Sequence, residues 1–190
     1  MNSSKVVKFT IQDPDLVQDF QKRKPVYLVL DNIRSAFNVG SAFRTGDATC
    51  VEQICICGIS AYPPNPKLDK TALGSTKTVP WKYYKSTVEA IDELKAKKIH
   101  ICSVELTNSS SNLWEYDFPE PVALVFGHEV YGISNDVLYK SDSFVYVPMY
   151  GKKATLNVST TLGVALFEVL RQYHVNSLLR LKNGKDRFKN

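Results

Sequence analysis

Two short runs constrain this chain more than anything else in it: Val26-Tyr27-Leu28-Val29-Leu30 and Val122-Ala123-Leu124-Val125-Phe126. Neither alternates with polar residues, so neither suits a sheet with one wet face. Unbroken apolar runs of this length, rich in β-formers, mark strands buried on both sides. Such strands need helices over both faces, and helical patterns accompany them. Ser86 stands three residues before Glu89 as a capping box, and Val88, Ile91 and Leu94 supply the apolar stripe of a helix over 86–98. Residues 37–48 and 135–140 read as two more helices, and residues 13–24, capped by Asp13, as a short one. From Asn157, in N-cap position, an apolar stripe runs Val158, Leu162, Ala165, Leu166, Val169, Leu170. Further strands are expected at 53–59, 79–84, 100–104 and 145–147. The alternation predicts an α/β domain with a mostly parallel sheet flanked by helices. Residues 61–78 read as a long loop, since Pro63, Pro64 and Pro66 remove three donors, and 108–112 as a polar turn before an anchoring Trp114. The domain is expected over 25–175, with 1–24 as an extension and 176–190 as a basic, loosely tethered tail.

Charge and cysteine usage narrow the classes. A net charge of +5 over 190 residues permits a polyanionic partner without requiring one. Its distribution says more: beyond Glu168 come Arg171, Arg180, Lys182, Lys185, Arg187 and Lys189, with Asp186 the only acid. Cys50, Cys55, Cys57 and Cys102 form no C-x-x-C and stand at no zinc-ligand spacing, so no metal is expected. Cys55 and Cys57 alternate along a strand and share one face, where burial as small apolar residues is the default. The N-terminal MNSSKVVKFTIQDPD has no apolar segment of signal-peptide length, and no 18-residue apolar run occurs. Reduced thiols, no membrane partner and a cytoplasmic location are the expectation.

Three strands end in loops of small and polar residues: 31–38, 127–134 and 148–157. Ligands of open parallel sheets bind beyond the carboxyl ends of the strands, so three such loops suggest one pocket. The phosphate cradles of nucleotide-binding folds are absent. Gly127 and Gly132 are too far apart for a G-x-G-x-x-G, and Gly151-Lys152-Lys153 lacks the rest of a P-loop.

Those loops carry a resemblance. Asn32-Ile33-Arg34-Ser35-Ala36-Phe37-Asn38-Val39-Gly40, continuing to Arg44 and Asp47, resembles the first motif of the SpoU-TrmH branch of the SPOUT RNA methyltransferases. Phe126-Gly127-His128-Glu129-Val130-Tyr131-Gly132-Ile133-Ser134 is similar to the second. Val147-Pro148-Met149-Tyr150-Gly151, with Thr155-Leu156-Asn157-Val158-Ser159, is similar to the third, where Thr155 takes the place of the family's usual serine. The resemblance implies a C-terminal deep trefoil knot, bound S-adenosylmethionine, a homodimer, and methyl transfer to a ribose 2′-hydroxyl of tRNA or rRNA. It also implies site roles. Arg44 is the expected catalytic residue, with Asn38, Glu129, Asn157 and Thr155 around it. Phe126, Gly127, Val147, Met149, Gly151, Leu156 and Asn157 are expected to hold the cofactor.

The chemistry fits those residue types. A ribose hydroxyl losing its proton develops negative charge that no ordinary side-chain base removes at neutral pH, so a cation must stabilise it. Arg44 suits this, because guanidinium keeps its charge throughout. Asn38 is placed to cap its helix and orient Arg44. Glu129, after a buried strand, needs a partner. Arg34, Lys152, Lys153, Arg180 and Lys182 are the expected RNA contacts. The competing reading is a non-catalytic RNA-binding or ribosome-assembly protein that kept the fold.

Overall fold

The computed structural model describes residues 22–186. Most of the helix expected over 13–24 falls outside that range, and at its end Lys24 already belongs to a strand. Among the described residues seven strands form one sheet: β1 (Lys24–Asp31), β2 (Val51–Cys57), β3 (Trp81–Tyr84), β4 (His100–Val104), β5 (Ser111–Asn112), β6 (Val122–Phe126) and β7 (Ser143–Tyr146). Their order is β3-β2-β1-β6-β4-β7-β5, and every paired neighbour is parallel. The two apolar runs lie side by side at its centre, Leu28 opposite Leu124 and Leu30 opposite Phe126.

The α-helices that cover it are α1 (Ala36–Ala48), α2 (Pro66–Ala72), α3 (Thr87–Ala96), α4 (Asn135–Lys140) and α5 (Val158–Asp186). Side chains alternate across each strand, so β1 sends Val26, Leu28 and Leu30 into one core and Val29 into the other. The first core takes Val39, Ala42 and Phe43 from α1, Leu68 from α2, and Leu162, Ala165, Leu166 and Val169 from α5. The second takes Ala90, Ile91 and Leu94 from α3 and Val137 from α4, together with Cys55 and Cys57. The two cysteines share a buried face, as expected. Burial pushes the Cys55 thiol up to about 12 and raises that of Cys57, so neither is a thiolate at neutral pH. No disulfide joins the four cysteines. Among the described residues no helix is long and apolar enough to cross a membrane, and no cluster of three or more His, Cys, Asp or Glu is placed to hold a metal.

Helix starts follow side-chain chemistry. Ser86 caps α3 by accepting from Glu89 N, as the capping box predicts. Asn157 caps α5, its Oδ1 accepting from Ser159 N at 2.9 Å. Three expectations need correction. Residues 61–78 are not all loop: Pro66 opens α2, where a missing N–H costs nothing, and Asn65 Oδ1 accepts from Lys67 N and Leu68 N. Residues 75–77 add a 3₁₀ turn. Around the supposed turn at 108–112, β5 pairs with β7, and Leu113 is buried while Trp114 stands 45 % exposed. Finally, α5 runs unbroken to Asp186, so most of the expected loose tail is helical.

Close helix packing over the first core depends on one residue. A Cβ on Gly40 of α1 would stand 2.2 Å from the Leu68 carbonyl oxygen, so only glycine lets α1 and α2 approach this closely.

Candidate active site

The strand order reverses direction between β1 and β6, the position where open α/β sheets form a crevice. Glu129, from the loop after β6, reaches across it. Its Oε2 accepts from Arg34 N at 2.9 Å, and its Oε1 from Ser35 N at 2.9 Å and Asn38 Nδ2 at 2.8 Å. Burial works against the charge. The N–H groups of Arg34, Glu129 itself and Ser35, with the Asn38 amide, outweigh it, and the carboxyl lies below its ordinary 4.5.

A carboxylate that only accepts forces the Asn38 amide to turn its NH₂ toward it. The Asn38 Oδ1 therefore faces outward, where it accepts from Asn157 Nδ2 at 3.3 Å. One hydrogen-bonded chain, Glu129–Asn38–Asn157, thus ties together the segments after β1, β6 and β7. Asn38 does not cap α1. Ser35 does, and Asn38 sits inside the first turn. The reason is position: Ser35 has the extended backbone of an N-cap (φ −85°, ψ 113°) and the helix has already begun at Ala36.

Beside this chain opens a cleft of about 750 Å³. The loop after β6 supplies Gly127, His128, Glu129, Val130 and Gly132, following the buried Phe126 of β6. The segment between β7 and α5 supplies Val147, Met149, Thr155, Leu156 and Asn157. The loop after β6 is folded tightly. His128 and Gly132 exchange backbone hydrogen bonds of 3.0 and 2.8 Å, and His128 Nδ1 accepts from Val130 N and Tyr131 N. A Cβ on Gly127 would meet the Gly132 carbonyl carbon at 2.3 Å, and Gly132 has φ +68°. Both glycines are required by the turn itself.

The third wall was not legible in the sequence. It comes from β4 and the residues after it: Val104, Glu105 and Leu106. Glu105 Oε2 accepts from Ile133 N at 3.1 Å and its Oε1 from Leu106 N at 3.0 Å, so it braces the glycine turn from the other side. Its only sequence signal is a polar residue directly after a buried strand.

The remaining expected residues stand apart from the cleft. Arg44 is exposed on α1, does not line the cleft, and makes no hydrogen bond or ion pair with the described residues. Arg34 contributes its backbone N–H to Glu129 while its side chain is exposed and unpaired among the described residues. Lys152 and Lys153 are exposed in the segment before α5. Gly151 is exposed too, and a Cβ there would meet nothing within 4 Å, so close backbone approach within this chain does not explain it. Arg180 and Lys182 fall in the last turns of α5. Among the described residues no arginine or lysine lines the cleft.

Known proteins show which family this chain belongs to. The family model described as the SpoU rRNA Methylase family matches residues 25–167. The chain is 30% identical over 151 residues to the 23S rRNA (guanosine-2′-O-)-methyltransferase RlmB of Ralstonia nicotianae, covering 80% of this chain and 60% of that protein. It is 30% identical over 170 residues to the tRNA (guanosine(18)-2′-O)-methyltransferase of Thermus thermophilus, covering 86% of this chain and 80% of that one. Among solved structures it is similar to the SpoU methyltransferase AviRb of Streptomyces viridochromogenes in complex with AdoMet. There the TM-score is 0.74 at 25% identity, over 86% of this chain and 65% of the other. The matched stretch contains all three motif loops, and the chain belongs to the SpoU rRNA methylase family.

Proposed function

We propose that this chain transfers a methyl group from S-adenosylmethionine to a ribose 2′-hydroxyl of tRNA or rRNA. The observation that carries the reading is the Glu129–Asn38–Asn157 chain at the rim of the cleft, which spends a charged carboxylate on organising three loops rather than on chemistry. The relatives named above as guanosine 2′-O-methyltransferases, and the neighbour bound to AdoMet, support it.

The cleft suits the cofactor. Its volume falls in the range of small-molecule sites, roughly 300–1,000 Å³. Leu106, Val147, Met149 and Leu156 offer apolar cover for a purine, and Gly127 and Gly132 line the cleft without side chains that would fill it. When bound, S-adenosylmethionine supplies an electrophilic methyl group on a sulfonium. The protein's part is to place the ribose oxygen and to stabilise charge on it. Glu129, Glu105 and His128 Nδ1 all accept from backbone N–H groups, so each has a structural task already. Electrostatic stabilisation by Arg44 is therefore assigned the leading role, with the exposed Thr155 hydroxyl and Asn157 contacting substrate or cofactor.

Since no cation of the described residues lines the cleft, Arg44 must meet the ribose oxygen across space that RNA or a second copy of the chain fills. A homodimer is part of this proposal. The outer faces of α1 and α5 leave Phe37 and Phe167 46 % and 56 % exposed, and a Cβ on Gly163 of α5 would meet nothing within 4 Å among the described residues. A trefoil-knotted C-terminal third and a cytoplasmic location belong to the same reading. The test is to incubate purified protein with labelled S-adenosylmethionine and tRNA or rRNA, and to map 2′-O-methyl sites. Cofactor binding without transfer to any RNA would favour a non-catalytic RNA-binding role.

A further inference from the structure

An aromatic ladder runs outward along the β3 edge of the sheet. Phe43, in the core, meets Trp81 edge-on at 6.4 Å. Trp81 and Tyr62 lie 6.5 Å apart with planes 29° from parallel, and Tyr62 and Tyr83 are 4.6 Å apart. The inner end is closed and the outer end meets water: Tyr62 is 47 % and Tyr83 37 % exposed. The Tyr83 hydroxyl donates to the Gly58 carbonyl at 3.0 Å, which fixes the ring beside Tyr62.

This edge is tied to the active-site rim. Asn32 Oδ1 accepts from Ile59 N at 3.1 Å, and Ser60 Oγ accepts from Ile33 N at 2.8 Å. Asn32 and Ile33 lead directly into Arg34 and Ser35, whose N–H groups hold Glu129. Tyr62, two residues beyond Ser60 in the loop after β2, and the cleft therefore stand on the same carboxyl-end rim, joined through two bonded loops.

The surrounding charge selects the partner. Residues 58–85 carry Lys67, Lys70, Lys77, Lys82 and Lys85 against one acid, Asp69. Among the described residues only Lys82 of these five is in an ion pair, with Glu93, and it lies over the Tyr84 ring on the opposite face of β3 from Tyr83. Lysine is depleted from protein–protein interfaces, whereas exposed planar rings in a lysine-rich segment suit an unpaired nucleic acid strand. We propose that Tyr62, with Tyr83 beside it, is a stacking platform for an unpaired base of the RNA, flanking the nucleotide whose ribose enters the cleft. This rests on RNA being the substrate class and adds that the substrate is single-stranded next to its methylated position.

A short single-stranded RNA carrying 2-aminopurine tests it, with the same strand annealed into a duplex as comparison. The wild-type protein should quench the probe fluorescence in the single strand and not in the duplex. Tyr62→Ala should weaken single-strand binding roughly five- to a hundredfold, the range for one stacked base. Tyr62→Phe should bind like wild type. Tyr62→Leu decides against a merely structural ring, because leucine still covers Trp81 and Tyr83 but has no π face. Leucine restoring full binding, or alanine binding as tightly as wild type, would overturn the platform. Wild type that stacks the probe yet methylates no RNA refutes the enzymatic reading and leaves the platform standing. Methylation with the same KM in wild type, Tyr62→Ala and Tyr62→Leu refutes the platform and leaves the enzymatic reading.

Discussion

Replacing Glu129 by glutamine removes one charge from the centre of the loop network and keeps the shape. The carboxylate receives three hydrogen bonds, from Arg34 N, Ser35 N and Asn38 Nδ2. Bonds to a charged acceptor contribute ~1.5–3 kcal/mol each and neutral ones ~0.5–1.5, so the two that glutamine's oxygen keeps lose about 1 kcal/mol apiece. The third donor, Arg34 N–H, would face an NH₂ group, but it is solvent-exposed and water relieves most of that cost. The sum is ~1–3 kcal/mol, or a fall in Tm of roughly 3–10 °C for a chain of this size. Direction with pH is a stricter check. The folded-state pKa lies below the ordinary 4.5, so its contribution is present above that value and is lost as pH falls through the folded-state pKa. Scanning calorimetry of both proteins from pH 7 downward should show a gap that is widest near neutrality and closes in acid. A gap that is absent at pH 7, or that persists below the folded-state pKa, would refute the claim that charge on Glu129 organises the rim.

Three further outcomes are expected. Arg44→Ala should abolish methyl transfer while leaving the melting curve and S-adenosylmethionine affinity as in wild type, because the exposed Arg44 side chain makes no hydrogen bond or ion pair with the described residues; Arg44→Lys should rescue poorly, lacking the planar fork. Phe167→Asp, placing a charge on the exposed face of α5, should convert a dimer to monomer by light scattering, and a wild-type monomer at full activity would exclude the dimer. Deleting residues 180–190 should weaken RNA binding and reduce its salt slope by roughly 0.7 for every phosphate the shortened chain leaves unbound, with cofactor affinity unchanged; an unaltered slope would make the basic end a solubiliser.

What the sequence determined by itself is whatever depends on neighbours along the chain. Val26–Leu30 and Val122–Phe126 announce buried parallel strands because no polar residue interrupts them, and Ser86 and Asn157 announce helix starts because capping acts within three residues. Local signals can mislead where two rules compete. Proline breaks helices, yet Pro66 begins one, and Asn65 before it carries the capping signal that resolves the conflict. Contacts between distant segments are a matter for tertiary structure alone. Glu129 and Asn38 are 91 positions apart, and nothing near either one specifies that β6 lies against β1 rather than against another apolar strand. Glu105 becomes a wall of the cleft for the same reason, since β4 has first to be placed beside β6. The tyrosines at the β3 edge look like ordinary strand and loop residues until parallel pairing with β2 carries Tyr83 to within 4.6 Å of Tyr62. Strand order is decided by which arrangement buries both faces of every apolar strand at once, a property of the whole sheet that no window of sequence contains.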